Sequence, residues 1–170
     1  MSILSSISTS LALFCLGLSL TLTAQANTFE TVMANGMKVI VKEDKRAPTV
    51  VHMVWYRAGS IDEVNGKTGV AHVLEHMMFK GTKNLKPGDF SKKVAEVGGR
   101  DNAFTSKDYT AYFQQIEKSH LPKMMALEAE RLQHLRISEE EFKKEIQVVM
   151  EERRLRTDDQ AQAILYEQLL

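Results

Sequence analysis

Cysteine is nearly absent from this 170-residue chain, where Cys15 stands alone. That excludes an intramolecular disulfide framework and any metal site built from thiolates only. Net charge is absent too: 22 Lys+Arg balance 22 Asp+Glu, so no global basic field draws in nucleic acid or an anionic membrane. Proline is scarce, at three residues, and no repeat, low-complexity tract or linker occurs, which leaves out collagen-like and disordered chains. The longest apolar run, Leu11–Leu22, falls short of the roughly 20 residues of a comfortable membrane span. What is present is an ordinary globular mixture, 44% hydrophobic and 26% charged, with room for one domain.

Residues 1–26 hold none of the acidic or basic residues. An apolar core followed by Ala24-Gln25-Ala26 reads as a secretory signal peptide with a small-x-small cleavage site, although the usual basic residue before the core is missing. A buried hydrophobic terminus or an uncleaved anchor is the alternative. Cys15 lies inside the apolar core and would leave with it. The mature chain, from about Asn27, is then expected to work outside the cytoplasm, secreted across an inner membrane into the periplasm.

Strand-like runs at Thr28–Met33 and Met37–Lys42 flank Asn35-Gly36, a strong hairpin signal. Thr49–Arg57 reads as a third strand, rich in β-branched and aromatic residues. A glycine-bearing loop leads into a helix over Val70–Lys80. Pro87 opens a second helix, Gly88–Val97, which Gly98-Gly99 stops. Asn102–Thr105 and Tyr109–Glu117 read as another strand pair. Helices follow from Pro122 to Leu135, and from a capping box at Ser138 and Glu141 to Thr157. Residues 158–170 read as helical. Strands and helices without regular alternation predict an α+β fold, an antiparallel sheet with helices packed on one face.

The chemistry begins at His72-Val73-Leu74-Glu75-His76. At about 100° per residue, with His72 at zero, Glu75 lies near about −60° and His76 near about +40°. The three share one narrow face, while Val70, Ala71, Val73, Leu74, Met77 and Met78 fill the rest, the pattern of a buried helix. Two imidazoles and a carboxylate in such a setting need a partner. A metal ion supplies one, because imidazoles at i and i+4 both reach it and the intervening glutamate is free to take a proton. H-x-x-E-H is the inverted form of the H-E-x-x-H zinc signature. Histidines that merely hydrogen-bond in a core are the bland alternative.

Catalytic zinc usually takes three protein ligands. His52, His120 and His134 are isolated, which points to a carboxylate. On the Ser138-capped helix, Phe142, Ile146, Val148, Val149, Met150 and Leu155 outline an apolar arc, and Glu145 and Glu152 fall inside it. Glu140, Glu151 and their basic neighbours fall on the solvated side. Glu152 is the favoured third ligand, and Glu145 a supporting group that orients a ligand.

The block Gly69–Thr82 closely resembles the signature of the pitrilysin/insulinase family of zinc peptidases, the inverzincins, which includes the processing peptidase of mitochondria. Glu145 and Glu152, seven residues apart, match that family's distal glutamate pair. Gly98–Thr105 (GGRDNAFT) resembles the edge strand on which such enzymes lay their peptide. The resemblance covers about Phe29 to Leu170. It implies one zinc ion held by His72, His76 and Glu152, Glu75 as general base, and Asn102 and Ala103 presenting main-chain and amide groups to an extended peptide. Domains of the family run longer and pair around an enclosed chamber. Residues 27–170 therefore read as an incomplete amino-terminal zinc peptidase domain that needs a second homologous domain or subunit. The expected function is a zinc-dependent endopeptidase acting on extended peptides, and the alternative is a non-catalytic peptide-binding or scaffolding partner of a peptidase.

Overall fold

Asn35 and Gly36 turn the chain back on itself between β1 (Thr28–Val32) and β2 (Lys38–Lys42), which pair antiparallel from Thr28↔Lys42 to Val32↔Lys38. Gly36 takes a positive φ of 84°, and the Asn35 side chain accepts the N–H of Met37 at 3.1 Å. Local turn chemistry thus sets this register, as the Asn-Gly pair predicts. A computed structural model describes residues 28–169; the predicted signal segment lies outside them. The hairpin belongs to a first compact unit ending at Arg46, and a second begins at Ala47.

In the second unit β3 (Thr49–Tyr56), β4 (Arg100–Thr105) and β5 (Thr110–Glu117) form an antiparallel sheet in the order β3-β5-β4. Strand alternation decides what each face meets. Val50, His52, Val54 and Tyr56 are partly covered, whereas Val51, Met53 and Trp55 are exposed on the other face. α2 (Asp89–Ala95) and α3 (Leu121–His134) cover the first face, and Phe90, Val94, Ile116 and Met124 make the core between them. This is the antiparallel α+β architecture expected from the sequence. Gly99 makes the close turn from α2 into β4 possible: a Cβ there would stand 2.5 Å from the Ile116 side chain.

A further helix, α1 (Val70–Met77), precedes α2, and part of the core between α3 and the sheet is polar. Arg131 is fully buried and pairs with Glu128 at 2.6 Å. Its guanidinium lies 4.2 Å from the ring centre of Phe90 and 4.4 Å from that of Tyr112. Gln114 donates to Glu128 and meets His52 at 2.7 Å. A buried cation is tolerable when paired and stacked in this way. Burial pushes the Tyr112 hydroxyl well above its ordinary range.

α4 (Glu139–Arg153) starts at Ser138, whose hydroxyl accepts the Glu141 N–H at 3.2 Å. It stops short of the expected Thr157, because a wide π turn over Arg154–Asp158 precedes α5 (Ala161–Leu169). The N–H of Asp159 donates five residues back to the carbonyl of Arg154 at 2.8 Å. Its buried strip is also narrower than the predicted arc: Glu145 is buried, Ile146, Val149 and Glu152 are partly covered, and Phe142, Val148, Met150 and Leu155 are exposed. Among the described residues no helix is long and apolar enough to cross a membrane.

Candidate metal and catalytic site

α1 is held by groups outside it. Gly69 at its start takes a left-handed backbone, φ 92°. The Glu63 carboxylate accepts the N–H groups of Gly69 and Ala71, both at 2.7 Å. Donors that a helix start leaves orphaned are thereby met by an anion, the sign the helix dipole favours. α1 is less enclosed than its composition predicts, since Val70 and Leu74 are exposed. Its polar stripe is the side that packs towards α4 and β4.

His76 Nδ1 lies 2.9 Å from Glu145 Oε1, and Lys80 Nζ lies 2.5 Å from Glu145 Oε2. Burial pushes the Glu145 carboxyl up, but hydrogen bonds from Lys80 and His76 outweigh it and hold the group below the usual carboxylate range. A carboxylate at Nδ1 assigns the His76 proton to that nitrogen and leaves a lone pair on Nε2. That atom faces His72 Nε2 at 3.2 Å. Glu152 oxygens lie 3.6 Å from His72 Nε2 and 3.9 Å from His76 Nε2. Glu152 Oε2 is buried and accepts no hydrogen bond; Arg156 Nη1 stands 3.1 Å away as a charge contact only.

One donor atom from each of His72, His76 and Glu152 lies within 4.8 Å of the others. Ligands at about 2.0–2.1 Å on a tetrahedral ion stand about 3.3–3.4 Å apart, close to the separations seen here. The donor set, two imidazoles and an orphaned carboxylate oxygen, suits zinc. One ion could reach all three with side-chain adjustment alone.

Glu75 is tied elsewhere. Its Oε2 accepts the Thr105 hydroxyl at 2.5 Å. Thr110 Oγ1 stands 3.3 Å from Thr105 Oγ1 and donates to the Ala58 carbonyl at 2.9 Å. β4 is an edge strand of its sheet. Asn102 is exposed, and its Oδ1 accepts the N–H of Ala103 at 2.8 Å. His72, Glu75, Asn102, Ala103, Glu145 and Glu152 all line one open cleft of about 580 Å³. The remaining histidines take no part: His52 meets Gln114, His134 pairs with Glu130, and His120 stands just before α3 without a capping hydrogen bond from its side chain.

Sequence reasoning did not find Glu63, Lys80, Thr105 or Arg156. Strand alternation puts Thr105 on the same face as Ala103, yet nothing along the chain pairs it with Glu75.

A family model described as insulinase (peptidase family M16) matches residues 38–170. The chain belongs to the insulinase family. Among insulinase-family relatives, the zinc protease PqqE of Helicobacter pylori is 42% identical over 159 residues, 92% of this chain and 36% of that protein. The probable mitochondrial-processing peptidase subunit beta of Arabidopsis thaliana is 32% identical over 122 residues, 72% of this chain and 23% of its own. The crystal structure of a protease from Helicobacter pylori, 42% identical, superposes with a TM-score of 0.79 over 83% of this chain and 34% of that one. The insulinase-family chain described here thus spans about a third or less of the length of these relatives.

Proposed function

We propose that this chain is the metal-bearing part of a zinc-dependent endopeptidase that hydrolyses extended peptides. His72, His76 and Glu152 would hold one zinc ion, Glu145 would orient His76, and Glu75 would be the general base. The observation that carries this reading is the convergence of two histidine Nε2 atoms 3.2 Å apart on a buried carboxylate oxygen that accepts no hydrogen bond. When bound, zinc acidifies water and polarises a carbonyl.

The chain's own residues supply the rest. Thr105 anchors one oxygen of Glu75, and the other makes no hydrogen bond among the described residues, so it can accept a proton from water and pass it to the leaving amine. The free edge of β4 can take an extended peptide as an added strand, with the N–H of Ala103 released when the Asn102 side chain turns to the substrate. A second homologous domain or subunit is proposed to close over the cleft. The uncharged apolar start of the sequence supports secretion and a periplasmic location.

Metal content of the purified chain tests the ligand set. About one zinc per chain is expected, lost in Glu152→Gln and kept in Glu75→Gln, whose protein should bind peptide without cleaving it. A folded parent chain free of zinc, or a Glu75→Gln protein that still hydrolyses peptide, overturns the reading.

A further inference from the structure

Three arginines follow Glu152 closely, and two of them turn away from it. Arg153 binds Glu167 at 2.9 and 3.0 Å. Arg154 grips Glu151 at 2.6 Å and Asp159 at 2.6 Å. Arg156 has a different partner: its Nη1 lies 3.1 Å from Glu152 Oε2, and it pairs with no other carboxylate among the described residues. Arg156 stands four residues after Glu152, the spacing that sets two side chains on the same side of a helix. The oxygen that Arg156 touches is the buried one that accepts no hydrogen bond, 3.6 Å from His72 Nε2.

We propose that Arg156 is a built-in counter-ion for Glu152, competing with the metal for the same carboxylate and so lowering the metal affinity of the site. The inference rests on the reading that Glu152 is a ligand. A guanidinium keeps its charge at all ordinary pH, so the competition is with a permanent positive charge. Repulsion between that charge and a divalent ion a few ångströms away is appreciable next to a partly covered carboxylate whose Oε2 is buried. The Arg156 side chain is 71% exposed, which gives it a path into solvent when metal enters. Lys80 differs: it pairs with Glu145, whose oxygens are both occupied away from the metal point, so that pair has no need to break. Metal entry therefore breaks one ion pair in this cleft and spares the other.

Zinc dissociation constants, read by competition with a chromophoric chelator, test this without any need for hydrolysis. The series is the parent chain, Arg156→Gln, Arg156→Met, Arg156→Lys, Arg154→Gln and Glu152→Gln. Arg156→Gln and Arg156→Met should bind zinc about 3- to 10-fold tighter at low ionic strength, and the gap should shrink in high salt. Arg156→Lys and Arg154→Gln should stay near the parent value. If Glu152→Gln weakens binding but neither uncharged Arg156 variant tightens it, the counter-ion role is overturned while the ligand set stands. Weaker binding in the Arg156 variants likewise overturns competition and makes the arginine a support for Glu152. Unchanged affinity in Glu152→Gln removes the ligand set and the inference with it.

Discussion

Thr105 shows how much of the site's chemistry depends on single hydroxyls and carboxylates that carry no motif. Its Oγ1 donates to Glu75 Oε2, so the carboxylate is aimed by β4, the strand beside which a peptide would lie. A hydrogen bond to a charged group contributes about 1.5–3 kcal/mol. On the proposed peptidase reading, Thr105→Val is expected to lower kcat by about 10- to 100-fold with KM little changed, while Thr105→Ser restores most of it. Steady-state kinetics beside zinc analysis would check this. Equal losses in the serine and valine variants, or loss of zinc in either, would make Thr105 a packing residue and no more. Glu145 is legible in the sequence as an acidic residue on an inward face, and the structure places it with both oxygens engaged, by His76 and by Lys80. Lys80 was invisible beforehand because an exposed-looking lysine at the end of a helix has many solvated alternatives.

At the scale of elements, α1 depends on its entry. Eight residues are too few to hold a helix by propensity, and no side chain of its own caps the start. The Glu63 carboxylate, six residues before Gly69, does so. Glu63→Ala should cost about 1–2 kcal/mol, seen as a fall of roughly 3–6 °C in Tm, and it should weaken zinc binding because His72 sits in the first turn. Thermal melts with and without zinc would measure both, and an unchanged Tm would mean the loop is held mainly by the Ser60 and Ile61 bonds to the 106–107 turn. α4 teaches a related lesson. Its periodicity extends past Arg153, yet the turn widens to a π turn there. Ion pairs from Arg153 and Arg154 to residues further along the chain surround that turn, and a one-element pattern contains no trace of them.

For the whole molecule, the candidate ligands join distant parts of the chain. His72 and His76 come from α1 and Glu152 from α4, with α2, β4, β5 and α3 between them. An ion bound there would clamp the two helices in the folded state only. At a free zinc concentration of 100 times Kd the gain is about 2.7 kcal/mol. Chelation should therefore lower Tm of the parent chain and leave that of Glu152→Gln unmoved. A parent melt indifferent to chelator would argue against the clamp. The core around Arg131 needs no metal, since Arg131 is met by Glu128 and by aromatic rings.

What the sequence determined by itself is everything that repeats within one element. The Asn-Gly turn, the alternation of β3, the Ser138 cap and the shared face of His72, Glu75 and His76 all follow from short-range geometry, which the backbone enforces wherever the chain goes. The same periodicity picked Glu145 and Glu152 from a helix rich in acids. Only the tertiary structure decided which groups meet across elements: Glu75 with Thr105, Glu145 with Lys80 and His76, Glu63 with the start of α1. Those pairings depend on the path of the chain between elements, and on which buried charge finds which partner once water is removed.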